Sequence, residues 1–123
     1  MLEIKVLTDR ETVEKLCKDC GILDATRQNV LAATDKGEII AYTVFSMDEE
    51  NLWLSHIVPP DDIMMADGMV RSTMHVAVTR GIDKIFYKET VNEEMLSKLG
   101  LIKSKEEKTL DSEALFRDKC CGK

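Results

Sequence analysis

Residues 52–87 read LWLSHIVPPDDIMMADGMVRSTMHVAVTRGIDKIFY. The apolar, β-branched and aromatic residues at 52–58 (LWLSHIV) predict a strand. Pro59 and Pro60 have no amide to give a sheet ladder, so the strand is expected to end there. From about Asp67 to Arg80 the residues Val70, Thr73, Met74, Ala77 and Val78 recur on one helical face, and Gly81 supplies the stop. Residues 84–87 (KIFY) read as strand again. A helix of this length between two strands is a crossover, which predicts that the strands lie parallel in one sheet.

Upstream of this unit, residues 30–34 (VLAAT) and 39–47 (IIAYTVFSM) read as strands joined by the turn Asp35-Lys36-Gly37-Glu38. Asp48-Glu49-Glu50-Asn51 forms the next turn, so loop length alone predicts an antiparallel meander into 52–58. Residues 2–7 (LEIKVL) read as a first strand, and Thr8 to Glu11 as a capping box. Val13, Leu16, Cys17 and Cys20 make one apolar helical stripe, ended by Gly21. Residues 22–29 read as a helical turn or loop.

Downstream, Thr90 to Glu93 resembles a second capping box, Met95, Leu96 and Leu99 give a short apolar face, and Gly100 closes it. Two tail strands are expected, around 101–110 and 113–117. The order β-α-(α)-β-β-β-α-β-α-β-β predicts an α/β fold with one mixed sheet flanked by helices, in a single domain over residues 1–123.

The composition, 44% hydrophobic and 33% charged, is that of a globular chain long enough to build one core. Its net charge of −6, without a Lys/Arg run, argues against nucleic-acid binding. The start Met1-Leu2-Glu3-Ile4-Lys5 lacks the basic and apolar regions of a signal peptide. No apolar stretch approaches the roughly 18 residues of a membrane span. A cytoplasmic protein is therefore expected, with its four cysteines as thiols.

Several phrases resemble the GNAT family of acetyl-CoA-dependent N-acetyltransferases, and the resemblance covers nearly the whole chain. Residues 31–45 (LAATDKGEIIAYTVF) are similar to that family's second and third strands. Residues 58–68 (VPPDDIMMADG) stand where the family carries V-x-P-x-x-[R/Q]-x-x-G-x-[G/A]. Val58, Pro60 and Gly68 match, Ala66 takes the first glycine, and Ile63 replaces the Arg or Gln. A second alignment, counted from Gly81, puts Asp61 at the Arg/Gln position and Met64 at the first glycine. Residues 80–87 (RGIDKIFY) and 98–101 (KLGL) resemble the family's fifth strand and its K-L-G-F phrase.

The resemblance implies the family's fold and an acyl-CoA-dependent transfer of acetyl to an unknown amine. It implies that acetyl-CoA, as co-substrate, lies along Ile57 and Val58, with its diphosphate on the turn of Ala66, Asp67, Gly68 and Met69. Helix-mouth amides are natural acceptors of such an anion, although Asp61, Asp62 and Asp67 bring carboxylates close to it. The implied partners are acetyl-CoA and a small amine or peptide, with a homodimer as assembly and neither nucleic acid nor membrane.

The family often places a catalytic Glu on the fourth strand; here Leu54-Ser55-His56 holds no carboxylate, which makes His56 the candidate base. With regular alternation His56 shares a face with Leu52 and Leu54, opposite Trp53, Ser55 and Ile57. The acid that many members carry as Tyr is Leu96 here. These replacements leave a second reading open, a domain of this fold with a degenerate CoA site that serves as a non-catalytic binding module.

His75, beside Arg71 and Thr79, reads as part of a solvated face, and Met64, Met65, Met69 and Met74 as core filling. Cys17-x-x-Cys20 fits the apolar stripe better than a metal motif, and adjacent Cys120 and Cys121 suit tetrahedral coordination poorly. No metal is expected.

Overall fold

Alternating side chains give the sheet two apolar faces, and the computed structural model, which describes residues 2–115, covers both. The elements are β1 (Leu2–Val6), α1 (Arg10–Asp19), β2 (Asn29–Asp35), β3 (Glu38–Met47) and β4 (Asn51–Val58). They continue with α2 (Ile63–Thr79), β5 (Lys84–Tyr87), α3 (Glu93–Lys98), β6 (Ile102–Ser104) and β7 (Thr109–Leu110). One seven-stranded sheet runs in the order β1-β2-β3-β4-β5-β7-β6. β1 to β4 are antiparallel, β4 and β5 are parallel, and β7 pairs antiparallel with both β5 and β6. Helices flank this mixed sheet as the α/β reading requires.

The β2–β3 hairpin turns on Lys36 and Gly37, at φ 55° and 85°. Two successive positive φ values match the right-handed twist of the flanking strands, which is why glycine stands there. On one face, Val13 and Cys17 of α1 are fully buried against Val30, Ala32, Tyr42 and Val44. On the other, Ala66, Met69, Val70, Thr73, Met74 and Ala77 of α2 follow the spacing of a helical stripe and are all buried. They pack on Phe45, Leu52, Leu54 and Ile85, and each such side chain removed from water contributes roughly 1.5–3 kcal/mol. The packing is not wholly apolar. Thr73 donates to Met69 O at 2.9 Å, and Thr43 of β3 reaches the same Thr73 hydroxyl at 2.7 Å.

Several boundaries differ from the sequence expectation. The α1 cap is Asp9 rather than Thr8; its carboxylate accepts from Glu11 N and from the Thr12 hydroxyl. The α3 cap is Asn92 rather than Thr90, since Asn92 Oδ1 accepts from Met95 N at 3.1 Å. Residues 22–28 form a loop with a turn at 26–27, within the helical turn or loop expected there. The stretch 101–110 folds back on itself as β6 and β7, and the described part of the expected strand at 113–117 is not strand. Most important, α2 begins at Ile63, four residues before Asp67. Asp62 caps it by accepting from Met65 N at 3.0 Å, and Ile63, Met64, Met65 and Ala66 continue as helix.

The core reading of the methionines holds for Met69 and Met74, both fully buried, while Met64 is 83% exposed. His75 is exposed and hydrogen-bonds Thr79, as a solvated face implies. Burial pushes the Cys17 thiol up, and neighbouring Cys20 adds to this, so Cys17 stays protonated. Cys120 and Cys121 lie outside the described residues. Among the described residues no helix is long and apolar enough to cross a membrane.

Candidate active site

β4 carries an extra residue at its middle. Val44 faces His56 and Phe45 faces Leu54, so Ser55 is a bulge against β3. Its hydroxyl donates to Val44 O at 3.1 Å, which satisfies a buried polar group within the irregularity. A bulge reverses alternation. Leu52 and Leu54 point into the α2-side core before it, and Ile57 joins the same core after it. His56 therefore does not share a face with Leu52 and Leu54, as regular alternation implied. It lies on the other face and lines a cavity with Trp53.

The same point ends the parallel pairing. β4 and β5 match from Asn51↔Lys84 to Leu54↔Tyr87, and Lys88 N donates to Leu54 O at 2.8 Å as the last rung. The Thr90 hydroxyl then caps Ser55 O. Past it β5 has turned away, whereas β4 runs on to Val58 beside β3 alone. Ile57 and Val58 thus stand on a strand whose β5 side is open. Among the described residues no other strand takes that edge.

Two cavities flank the opening. On the α1 face one of about 640 Å³ is lined by Trp53, His56, Phe86, Tyr87, Lys88 and Thr90, among others. Trp53 and Phe86, adjacent in the β4–β5 register, stack at 6.1 Å and 17° as its flat wall. On the other side, between the α2 and α3 N-termini, a cavity of about 280 Å³ is lined by Pro60, Asp61, Ile63, Asn92, Glu94, Met95 and Lys98. A third depression of about 650 Å³, along the charged outer side of α1, includes neither His56 nor any residue of the opening.

His56 Nδ1 lies 3.1 Å from Ser55 Oγ. Because the serine's only proton goes to Val44 O, its oxygen accepts from Nδ1–H, and Nε2 keeps the basic lone pair. Burial, and then the Lys88 ammonium, pull His56 below its ordinary value, so the ring is neutral at pH 7. Tyr87 OH donates to Glu93 Oε2 at 2.6 Å; burial and then this carboxylate push the phenol up to about 12. Lys108 sits 3.6 Å from Glu93 and 5.6 Å over the Tyr87 ring. The Tyr87 phenol is thereby held protonated.

The candidate cofactor residues are less well gathered. Ala66 N–H bonds Asp62 O at 2.8 Å, and Asp67, Gly68 and Met69 follow within α2, where amides belong to the helical ladder. Ala66 and Met69 are buried, and Asp67 pairs with Arg71 at 2.7 Å. Only Gly68 offers bare surface, with nothing near where a Cβ would stand. The helix-mouth amides outside this ladder are those of Ile63 and Met64, since Asp62 takes that of Met65. Leu96, at the position of the family's acid, is fully buried.

No protein-family model matches the chain, and no curated protein matches it by sequence. Solved structures do. The ribosomal-protein-alanine N-acetyltransferase of Brucella melitensis superposes with a TM-score of 0.56 at 15% identity, over 81% of this chain and 89% of the other. A GNAT-family acetyltransferase from Elizabethkingia anophelis, with acetyl-CoA bound, gives 0.53 at 15% identity, over 70% and 63%. An aminoglycoside acetyltransferase from a soil metagenome, in complex with sisomicin, gives 0.57 at 11% identity, over 84% and 88%.

The chain has the GNAT acetyltransferase fold. At such identities the side chains have diverged while the mixed sheet has not. Ser55, Thr90, Trp53, Phe86 and Tyr87, which shape the opening in this version of the GNAT fold, were not among the sequence candidates. The one local signal was a serine inside the apolar run LWLSHIV.

Proposed function

We propose that this chain is a divergent GNAT-family N-acetyltransferase that moves an acetyl group from acetyl-CoA to a small amine or a peptide amine. The single observation behind the reading is the parting of β4 from β5 at Ser55. An unpaired stretch of strand at Ile57 and Val58 supplies backbone groups for the amides of a pantetheine arm. The Ile63 and Met64 amides, with the bare surface at Gly68, are the groups for its diphosphate. Asp61 and Asp62 oppose that anion, and of the charged residues lining the smaller cavity, Asp61, Glu94 and Lys98, only Lys98 favours it.

The amine enters from the cavity walled by Trp53 and Phe86. His56 Nε2 takes its proton, directly or through water, and the freed nitrogen pair attacks the acetyl carbonyl carbon. A C–N bond forms, the C–S bond breaks, and CoA leaves as thiolate, which takes up the second proton shed by the acylated nitrogen. With a thiol pKa of about 8.5 the thiolate needs no acid from the protein, which accommodates Leu96. A β4 backbone amide at the opening is the candidate donor to the carbonyl oxygen. Two of the three structural neighbours are named for or bound to different amines, so the fold does not transmit the acceptor. A cytoplasmic location, where acetyl-CoA is made and used, goes with the reading.

Titration of acetyl-CoA by calorimetry tests it, followed by detection of free CoA thiol against a panel of amines. Saturable binding is expected, abolished by Gly68→Glu, a substitution with open space around it. Absence of binding at millimolar acetyl-CoA would leave only the fold.

A further inference from the structure

Among the described residues β1 has a neighbour on one side only, and its sequence is Leu2-Glu3-Ile4-Lys5-Val6. Leu7 N donates to Val30 O at 2.8 Å, so Leu7 directs its backbone groups toward β2. Alternation turns Lys5 and Glu3 the same way and leaves the amides and carbonyls of Leu2, Ile4 and Val6 facing out. Their side chains lie on the α2 face, Leu2 54% and Ile4 40% exposed and Val6 packed on the core. Glu3 and Lys5 are exposed on the opposite face.

An apolar edge with free hydrogen-bonding groups is a template for another strand. The charges select which strand. A second β1, antiparallel about a two-fold axis through Ile4, brings Ile4 opposite Ile4, Leu2 opposite Val6, and Glu3 opposite Lys5. Every outward residue then meets an outward residue, so the ladder closes, and both charge pairs are of opposite sign. Sliding the register by one residue in each copy centres it on Lys5 or Glu3 and opposes like charges. Odd registers oppose outward backbone groups to inward ones, and in-register parallel pairing stacks Glu3 on Glu3. Only one arrangement satisfies backbone, apolar row and charges together.

We propose that two copies of this chain pair through β1, antiparallel and centred on Ile4, to join their sheets across a two-fold axis. The interface is isologous, as closed dimers require, and is independent of whether acetyl-CoA binds. Sedimentation equilibrium of the full chain tests it. Wild type is expected to show a monomer–dimer equilibrium. Glu3→Lys and Lys5→Glu each oppose like charges twice and are expected to weaken it by roughly tenfold or more. The double variant Glu3→Lys/Lys5→Glu restores opposite signs and is expected to recover the dimer. Ile4→Pro deletes an outward amide, which an edge strand tolerates, and is expected to leave a monomer. Circular dichroism confirms that each variant folds. A protein monomeric at every concentration overturns the proposal, as does a dimer indifferent to the charge variants.

Discussion

At neutral pH His56 is an uncharged imidazole, because burial and the Lys88 ammonium both disfavour its cation. If Nε2 is the base, kcat/KM is expected to fall on the acid side of a pKa below 6.5 and to be flat above it; His56→Gln should remove that limb along with most of the rate, roughly 100-fold or more. The stability consequence has the same sign. Between its folded value and 6.5 the unfolded chain binds more protons, so His56 makes stability rise with pH across that window and leaves it unaffected above. A urea-midpoint series between pH 5 and 8 on wild type and His56→Gln measures this. Asp62 gives a second residue-scale test. Asp62→Ser keeps a side-chain acceptor for Met65 N yet removes a charge from the helix mouth. Acetyl-CoA affinity by calorimetry is expected to tighten by roughly three- to tenfold. His56 was legible as the only titratable side chain in LWLSHIV, but its face was not, because alternation was counted through a bulge that pairing with β3 creates.

The β3–α2 contact is pinned by two hydroxyls, Thr43 and Thr73, at most 1% exposed. Thr73→Val removes the acceptor for Thr43 and leaves a buried donor without a partner, at a cost of about 1–3 kcal/mol in the denaturant midpoint. Thr43→Val/Thr73→Val should recover much of that loss, since two methyls replace two hydroxyls together. The helical stripe of α2 was readable from spacing alone, and its stop from Gly81. Its start lies four residues ahead of the expected Asp67, because Asp62 is an ordinary N-cap and the residues after it continue the helix before the apolar stripe begins. Likewise Thr90 looked like a cap but spends its hydroxyl on Ser55 O, a partner 35 positions away that only the closed sheet brings near.

For the whole molecule, acetyl-CoA binding would be felt as stability. At a concentration 100 times its Kd a ligand specific to the folded state contributes about 2.7 kcal/mol. For a domain of this size that is a rise in Tm of roughly 8–15 °C, readable by calorimetric or fluorescence melting, and Gly68→Glu should melt without a ligand-dependent shift. Loop lengths, strand composition and the crossover between 58 and 84 are local quantities, and they determined the mixed sheet and the directions of β2 to β5. Where β4 and β5 part, which face His56 takes, that Trp53 stacks on Phe86 and that Tyr87 meets Glu93 were decided only when the sheet closed. Each of these depends on a register between segments distant in sequence, and a register is fixed by the packing of both faces at once rather than by either strand alone.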